Sequence, residues 1–120
     1  MLMARRVALV SDDLMFRSQL EAAVTKVGGE MADVTADAVP DVDALFVDLN
    51  TDSPHRLGFI ATVREQRPAL NIVAFCHHGE KQLREAAMNV GASSCITNGA
   101  LQAVVMRLSG VPVVGTGRNE

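Results

Sequence analysis

The chain has 120 residues, of which 48% are hydrophobic and 21% are charged, as expected for one globular domain with its own core. Its 14 acidic residues outnumber the 11 basic ones, and the formal net charge is -3. Domains that bind nucleic acids or membrane surfaces are normally basic, so this balance argues against both classes. Proteins that bind single-stranded nucleic acids stack the bases on aromatic side chains. This chain has no Trp, no Tyr and only four Phe, so that function is disfavoured as well.

The cysteine content and the N-terminal segment predict a location in the cytoplasm. Two cysteines, Cys76 and Cys95, are too few for a disulfide framework, and they form no CxxC pair. The apolar run 7–10 stops at Ser11 and is too short for a signal peptide. No window of about 18 apolar residues is present, so we expect no membrane-spanning segment.

Short apolar runs alternate with amphipathic stretches, a pattern typical of an α/β fold with a parallel sheet. The first run, 6–10, predicts a buried strand, and the polar residues after it can cap a helix that ends at Gly28. Further strands are predicted over 30–34, 43–47, 70–75 and 93–97, and further helices over 54–67, 80–90 and 100–108. We expect one domain over 1–110 and a loose tail, or the start of a linker, over 111–120.

The connection between the second and third predicted strands is unusually short. It spans residues 35–42 and includes Pro40. A parallel crossover normally needs a dozen or more residues, which usually form a helix. We therefore expect a loop or a single turn here, in place of a helix.

Four of the predicted strands end in polar or reactive side chains. These groups are 11–13, Asp48, 76–78 and 97–98. In open parallel sheets the functional crevice lies outside the carboxyl ends of the strands. The sequence therefore predicts a functional site at this edge of the sheet.

Three segments, in this order and spacing, resemble the receiver domain of two-component response regulators over about residues 5–108. Segment 10–17 is similar to the acid pair before the first helix, 41–48 to the third strand with its terminal aspartate, and 91–100 to the fifth strand. The resemblance implies a flavodoxin-like, three-layer sandwich. It has a five-stranded parallel sheet of order 2-1-3-4-5, with the second helix here shortened or missing.

The resemblance also implies a site. Receivers accept a phosphoryl group on an aspartate, and Mg²⁺ neutralises the phosphoryl oxygens through acidic side chains and a backbone carbonyl. Asp48 stands at the phosphoacceptor position, and Asp12, Asp48 and Asn50 are weak candidates for Mg²⁺ ligands. Apart from Mg²⁺, we expect no cofactor.

The chain departs from the receiver pattern at four positions of this site. Ser11 replaces the first acid, Asn98 the lysine, Cys76 the hydroxyl residue and Cys95 the aromatic residue that reports phosphorylation. Without the lysine, we expect no fixed cation to face a phosphoryl group. Removing one positioned donor from an oxyanion-type site costs roughly 10²–10³ in rate, and here several groups differ together.

We therefore expect a pseudo-receiver, which is not an enzyme and which binds a protein partner without normal aspartyl phosphorylation. The alternative is an atypical but active receiver that is phosphorylated on Asp48 with Mg²⁺. A third hypothesis is an unrelated small enzyme on the same architecture, since fold does not fix function. The sequence offers no complete catalytic set for that third hypothesis.

Several of these residues also have simpler interpretations. Asp12 or Asp13 can cap the first helix. Neighbouring residues on an extended segment point to opposite sides, so 76–78 is a poor metal site. Cys76 and Cys95 are expected near the ends of neighbouring strands, either as a redox-sensitive disulfide or as two small buried hydrophobic side chains.

Residues 81–108 correspond to the face that many receivers use for dimers and partners. A homodimer through this face, or binding of a signalling component or output domain, follows from the resemblance. We expect no direct binding to nucleic acid or membrane. The candidate surface positions are Gln82, Arg84, Glu85, Met88, Gln102 and Arg107.

Overall fold

A computed structural model describes residues 5–35 and 38–110, in which strands and helices alternate along the chain. The elements in chain order are β1 (Arg6–Val10), α1 (Leu14–Lys26), β2 (Glu30–Ala32), β3 (Ala44–Asp48), α2 (Ser53–Gln66), β4 (Asn71–Cys76), α3 (Lys81–Val90), β5 (Ser94–Thr97) and α4 (Leu101–Ser109). A short 3-10 turn, Asn98–Ala100, joins β5 to α4. The predicted tail 111–120 lies outside the described residues.

The five strands form one parallel sheet in the order β2-β1-β3-β4-β5, which confirms the predicted fold class. The register pairs Val10 with Val47, Asp48 with Phe75 and Cys76 with Thr97. The carboxyl ends of β1, β3, β4 and β5 therefore meet at one edge, as the polar strand ends predict.

Both faces of the sheet carry a hydrophobic core. On one face Leu45 and Val47 pack with residues of α2 and α3, and on the other Phe46 and Phe75 pack with residues of α1 and α4. All five residues of β3 are buried, as is typical of a central parallel strand covered on both sides. Burying each large apolar side chain contributes about 1.5–3 kcal/mol, so this core fixes the strand ends that carry the site.

The connection from β2 to β3 contains no helix among its described residues. β2 ends at Ala32, two residues before the predicted end, and Val34 packs against the sheet instead. The Arg67 guanidinium, just after α2, donates to the backbone oxygens of Val39 and Pro40, the latter at 2.9 Å. Side-chain donors thus hold a segment that lacks the internal hydrogen bonds of a helix.

The other boundaries differ from prediction by one or two residues, with one difference that affects the site. Asp13, and not Asp12, caps α1, because its carboxylate accepts a hydrogen bond from the Met15 N–H at 2.8 Å. Asp12 is left for another contact. Within 5–35 and 38–110, no helix combines the length and the apolar character of a membrane span.

Candidate functional site at the carboxyl edge of the sheet

Asp48 lies at the centre of the predicted site and is almost completely buried, with 1% of its surface exposed. Its Oδ2 accepts a hydrogen bond from the Ser11 hydroxyl at 2.7 Å. Its Oδ1 accepts two, from the Asn50 backbone N–H at 2.8 Å and from Asn50 Nδ2 at 2.7 Å. Hydrogen bonds of this kind offset the cost of burying a carboxylate. Both oxygens of Asp48 therefore accept hydrogen bonds, and all three donors are neutral groups.

Ser11 has a fixed orientation. Its Oγ accepts the Asp13 N–H at 3.0 Å and donates to Asp48. The hydroxyl therefore links the turn that starts α1 to the end of β3. A carboxylate at position 11 would be repelled by the charge of Asp48, whereas the neutral serine donates a hydrogen bond to it.

Asn98 bridges the end of β5 to the segment after β3. Asn50 Nδ2 donates to Asn98 Oδ1 at 3.0 Å, and Asn98 Nδ2 donates to Asn50 Oδ1 at 2.9 Å. The two amides thus form a reciprocal pair. At the position where receivers have a lysine, this chain has a neutral group that holds Asn50 against Asp48.

Arg56, in the first turns of α2, is a charged residue that the sequence reasoning missed. Its Nη1 donates to the backbone oxygens of Asp48 at 2.8 Å and Val10 at 3.3 Å, and its Nη2 donates to Asp12 Oδ2 at 3.0 Å. The Arg56 side chain is 7% exposed, whereas that of Asp12 is 85% exposed. A buried cation therefore lies among the strand ends, whereas Asn98 at the lysine position led us to expect no fixed cation at this site.

The oxygen atoms around Arg56 are of the type that Mg²⁺ prefers, namely a carboxylate and backbone carbonyls. In this structure Asp12 bonds to Arg56, while the carboxylate of Asp48 bonds to Ser11 and Asn50. These residues do not fit a magnesium ion as they stand, because Mg²⁺ requires near-ideal octahedral geometry at about 2.0–2.1 Å. Asp12 and Asp48 would have to exchange these partners for the metal.

The cysteine pair lies at the neighbouring strand ends. The two sulfur atoms of Cys76 and Cys95 are 3.9 Å apart. Cys76 is buried, as expected, but Cys95 is only partly buried. Burial and the adjacent Cys76 raise the pKa of Cys95 to about 12, while Arg84 acts in the opposite direction.

The residues that follow Cys76 do not join it in a metal site. His77 and His78 are exposed, and the Gly79 N–H donates to His77 Nδ1 at 3.2 Å. Across the described parts of the chain, no three His, Cys, Asp or Glu side chains are placed to hold a metal ion.

The face formed by 81–108 contains the six predicted surface positions. Arg84 is half-buried and donates to the His78 backbone oxygen at 2.7 Å. The remaining five are exposed: Gln82, Glu85, Met88, Gln102 and Arg107. Met88 is one of the exposed large apolar side chains, and Leu14 and Met15 at the start of α1 are others.

No family model and no curated protein matches the sequence. Among solved structures, a CheY-like protein, TadZ, from Pseudomonas aeruginosa is 21% identical, with a TM-score of 0.73 over 87% of this chain and 98% of that one. The receiver domain of the TMAO respiratory system response regulator TorR is 19% identical, with a TM-score of 0.72 over 86% and 92%. NtrX from Brucella abortus is 21% identical, with a TM-score of 0.74 over 88% of this chain but 27% of NtrX. The chain thus has the fold of response regulator receiver domains.

Proposed function

We propose that this domain is a pseudo-receiver, a signalling module that binds a protein partner without normal phosphorylation of Asp48. The proposal rests chiefly on one observation, the set of internal partners around Asp48. Both carboxylate oxygens accept hydrogen bonds from Ser11 and Asn50, and Asn98 holds Asn50 in place. These partners leave the carboxylate in a satisfied resting state.

Phosphoryl transfer to Asp48 would first have to disturb this arrangement. An attacking carboxylate oxygen must be free to meet the phosphorus in line with the leaving group. Hydrogen bonds to charged groups contribute about 1.5–3 kcal/mol each, and about 1.4 kcal/mol corresponds to tenfold in rate. Breaking even one such bond would therefore slow the reaction by about tenfold or more.

Charge also disfavours the reaction. The incoming phosphoryl oxygens need positive charge, and the Asn98 amide supplies none. The Arg56 guanidinium is positive, but it is buried and bonded to Asp12 and to the Asp48 backbone oxygen. A magnesium ion at Asp12 would either displace this cation or lie beside it, and neighbouring like charges repel.

A domain without a phosphoryl switch would act through a constant surface. We propose that the 81–108 face, with Met88 exposed among polar side chains, contacts a signalling component, an output domain or a second copy of this chain. The match covers only 27% of the NtrX chain, so in NtrX the same fold is one part of a longer protein. We place the module in the cytoplasm and assign it no enzymatic activity.

The second candidate is an atypical active receiver that is phosphorylated on Asp48 with Mg²⁺. The exposure of Asp12 favours it, because 85% of that side chain is open to solvent and it could exchange Arg56 for a metal ion. Ser11 and Asn50 would then have to turn away from Asp48.

Titration with Mg²⁺ and beryllofluoride, followed by backbone amide NMR, separates the two candidates. A pseudo-receiver gives the spectrum of a folded protein that does not change during the titration, and Asp48→Ala likewise shows no change. The matched gain-of-function variant is Ser11→Asp with Asn98→Lys, which restores the acid and the lysine. It should respond to beryllofluoride where the natural chain does not. Shifts around Asp12, Asp48 and Asn98 in the natural chain, absent in Asp48→Ala, would favour the active receiver instead.

A further inference from the structure

Cys76 and Cys95 are cross-strand neighbours on the face of the sheet that α3 covers. The register pairs Ala74 with Cys95 and Cys76 with Thr97, so the two cysteines are diagonal to each other and point to the same side. Their sulfur atoms are 3.9 Å apart. Neither sulfur takes part in the hydrogen bonds of Asp48, which are made by Ser11 and Asn50.

The two thiols differ in their access to solvent. Cys76 is 0% exposed, whereas Cys95 is partly exposed. Cys95 also lines an open pocket of about 490 Å³ with Lys81, Arg84, Glu85 and Met88. A reagent from solvent therefore meets Cys95 first, at a wall where two basic side chains outnumber one acidic side chain.

We propose that Cys95 and Cys76 form a reversible dithiol–disulfide couple that exchanges with small anionic disulfides, of which oxidised glutathione is the model. The Cys95 thiolate attacks one sulfur of the oxidant, forms a mixed disulfide and releases one glutathione thiolate. Cys76 then loses its proton to water and attacks Cys95 Sγ, which releases the second glutathione. Two protein thiols are oxidised to one disulfide, and the oxidant is reduced to two thiols.

The surroundings favour a disulfide over a metal site. Structural zinc takes four ligands, and no third His, Cys, Asp or Glu within 5–35 and 38–110 joins the two thiols. A disulfide requires the sulfur atoms to approach from 3.9 Å to about 2.05 Å and the two Cβ atoms to lie about 3.5–4.5 Å apart. Diagonal positions on neighbouring strands hold their Cβ atoms further apart than this, so closing the bond requires the end of β5, which is an edge strand, to move towards β4.

The protonation of Cys95 gives the couple a distinct pH dependence. The groups that face it are Cys76 from β4 and Lys81, Arg84 and Glu85 from α3. Burial, with the adjacent Cys76, raises the pKa of Cys95 to about 12. The reactive thiolate fraction therefore increases about tenfold per pH unit up to that value, whereas an ordinary thiol, with a pKa of about 8.5, levels off earlier. The exchange is therefore slow at neutral pH and becomes faster as the pH rises.

The experiment incubates the full chain with oxidised glutathione between pH 7 and pH 10, quenches with acid and measures intact mass without reductant. The natural chain should lose the mass of two hydrogen atoms and give a linked peptide pair containing Cys76 and Cys95. Cys76→Ser should accumulate one glutathione on Cys95, because the resolving thiol is gone. Cys95→Ser should remain unmodified over the same time, because Cys76 is buried.

Charge and folding controls make the test decisive. Lys81→Gln should slow exchange with oxidised glutathione at least severalfold, and leave exchange with neutral hydroxyethyl disulfide unchanged. Modification of Cys95→Ser at the natural rate, a stable glutathione adduct on the natural chain, or a rate that follows global unfolding in urea would each overturn the proposal. So would a folded chain that stays reduced at pH 10 while the unfolded chain reacts, or a Cys76-dependent zinc site in a competition assay.

Discussion

Two parts of the same sheet edge are built in contrasting ways. At the ends of β1 and β3, every charged group described has a partner, with Asp48 held by neutral donors and Arg56 by Asp12 and backbone oxygens. At the ends of β4 and β5, two thiols contact each other beside an open pocket. Satisfied polar networks specify one arrangement, whereas two reduced thiols can still react when a reagent reaches the exposed one. The first region is therefore a fixed polar network, and the second contains one thiol, Cys95, that is partly open to solvent.

The largest effect is expected from Arg56→Met, which keeps most of the apolar stem of the side chain and removes the guanidinium. The backbone oxygens of Val10 and Asp48 lose their donor in a buried setting, so the free energy of unfolding should decrease by about 2–4 kcal/mol. Urea denaturation measures this. The matched control, Asp12→Asn, removes the negative charge of the exposed partner and should cost less than about 1 kcal/mol. Equal losses in both variants would contradict the buried role of Arg56.

A smaller effect is expected from Asn50→Ala, which removes side-chain hydrogen bonds to Asp48 and Asn98. The loss should be about 1.5–3 kcal/mol, since one of these bonds goes to a carboxylate, and that of Asn98→Ala about 1 kcal/mol. Because the two amides bond to each other, the double variant should lose less than the sum. Additive losses in urea denaturation would show that the reciprocal pair contributes no coupling.

The second region should show its own pH-dependent stability. The folded chain keeps Cys95 protonated, since its pKa is raised to about 12. This stabilisation is fully present below the unfolded pKa of about 8.5 and is lost as pH rises towards about 12. The difference in stability between the natural chain and Cys95→Ser should therefore shift against the natural chain above about pH 9. Partial exposure of Cys95 keeps this shift modest, and a constant difference from pH 7 to pH 11 would refute it.

The smallest expected effect concerns the 81–108 face. Met88→Lys replaces an exposed apolar side chain and should change stability by less than about 0.5 kcal/mol. If the 81–108 face forms a homodimer, the same substitution should shift sedimentation towards the monomer. Gln19→Lys, at an exposed position of α1 outside that face, is the matched control for added charge. Dimers that persist in Met88→Lys would place the contact elsewhere.

The sheet could be predicted from the sequence because the apolar runs and turn residues encode strands locally. The strand order followed from the resemblance, and the short crossover followed from a residue count. Arg56 could not be placed in this way. Its guanidinium reaches Asp12 only because a loop sets where α2 begins, and a long side chain can extend in several directions. An arginine eight residues after Asp48 was the available signal.

Contacts between distant segments were predicted only in part. The sequence predicted Asn50 and Asn98 at the same edge of the sheet, and the two cysteines at neighbouring strand ends. Which atoms of each pair come into contact depends on side-chain rotamers, which the sequence pattern does not specify. It also left open whether Asp12 or Asp13 caps α1. Two adjacent acids before a helix fit the cap equally well, and tertiary contact with Arg56 decides between them.

The helix α2 carries an arginine near each of its two ends. Arg56 fastens its start to the strand ends, and Arg67, just beyond its last turn, fastens the crossover loop through Val39 and Pro40. Arg67 lies eleven positions after Arg56, which corresponds to a rise of about 16 Å along the helix. Hydrogen bonds thus fix α2 at both of its ends. Because a helix is stiff along its axis, a displacement of Arg56 at the strand ends would also move Arg67 and the loop between β2 and β3 that it holds.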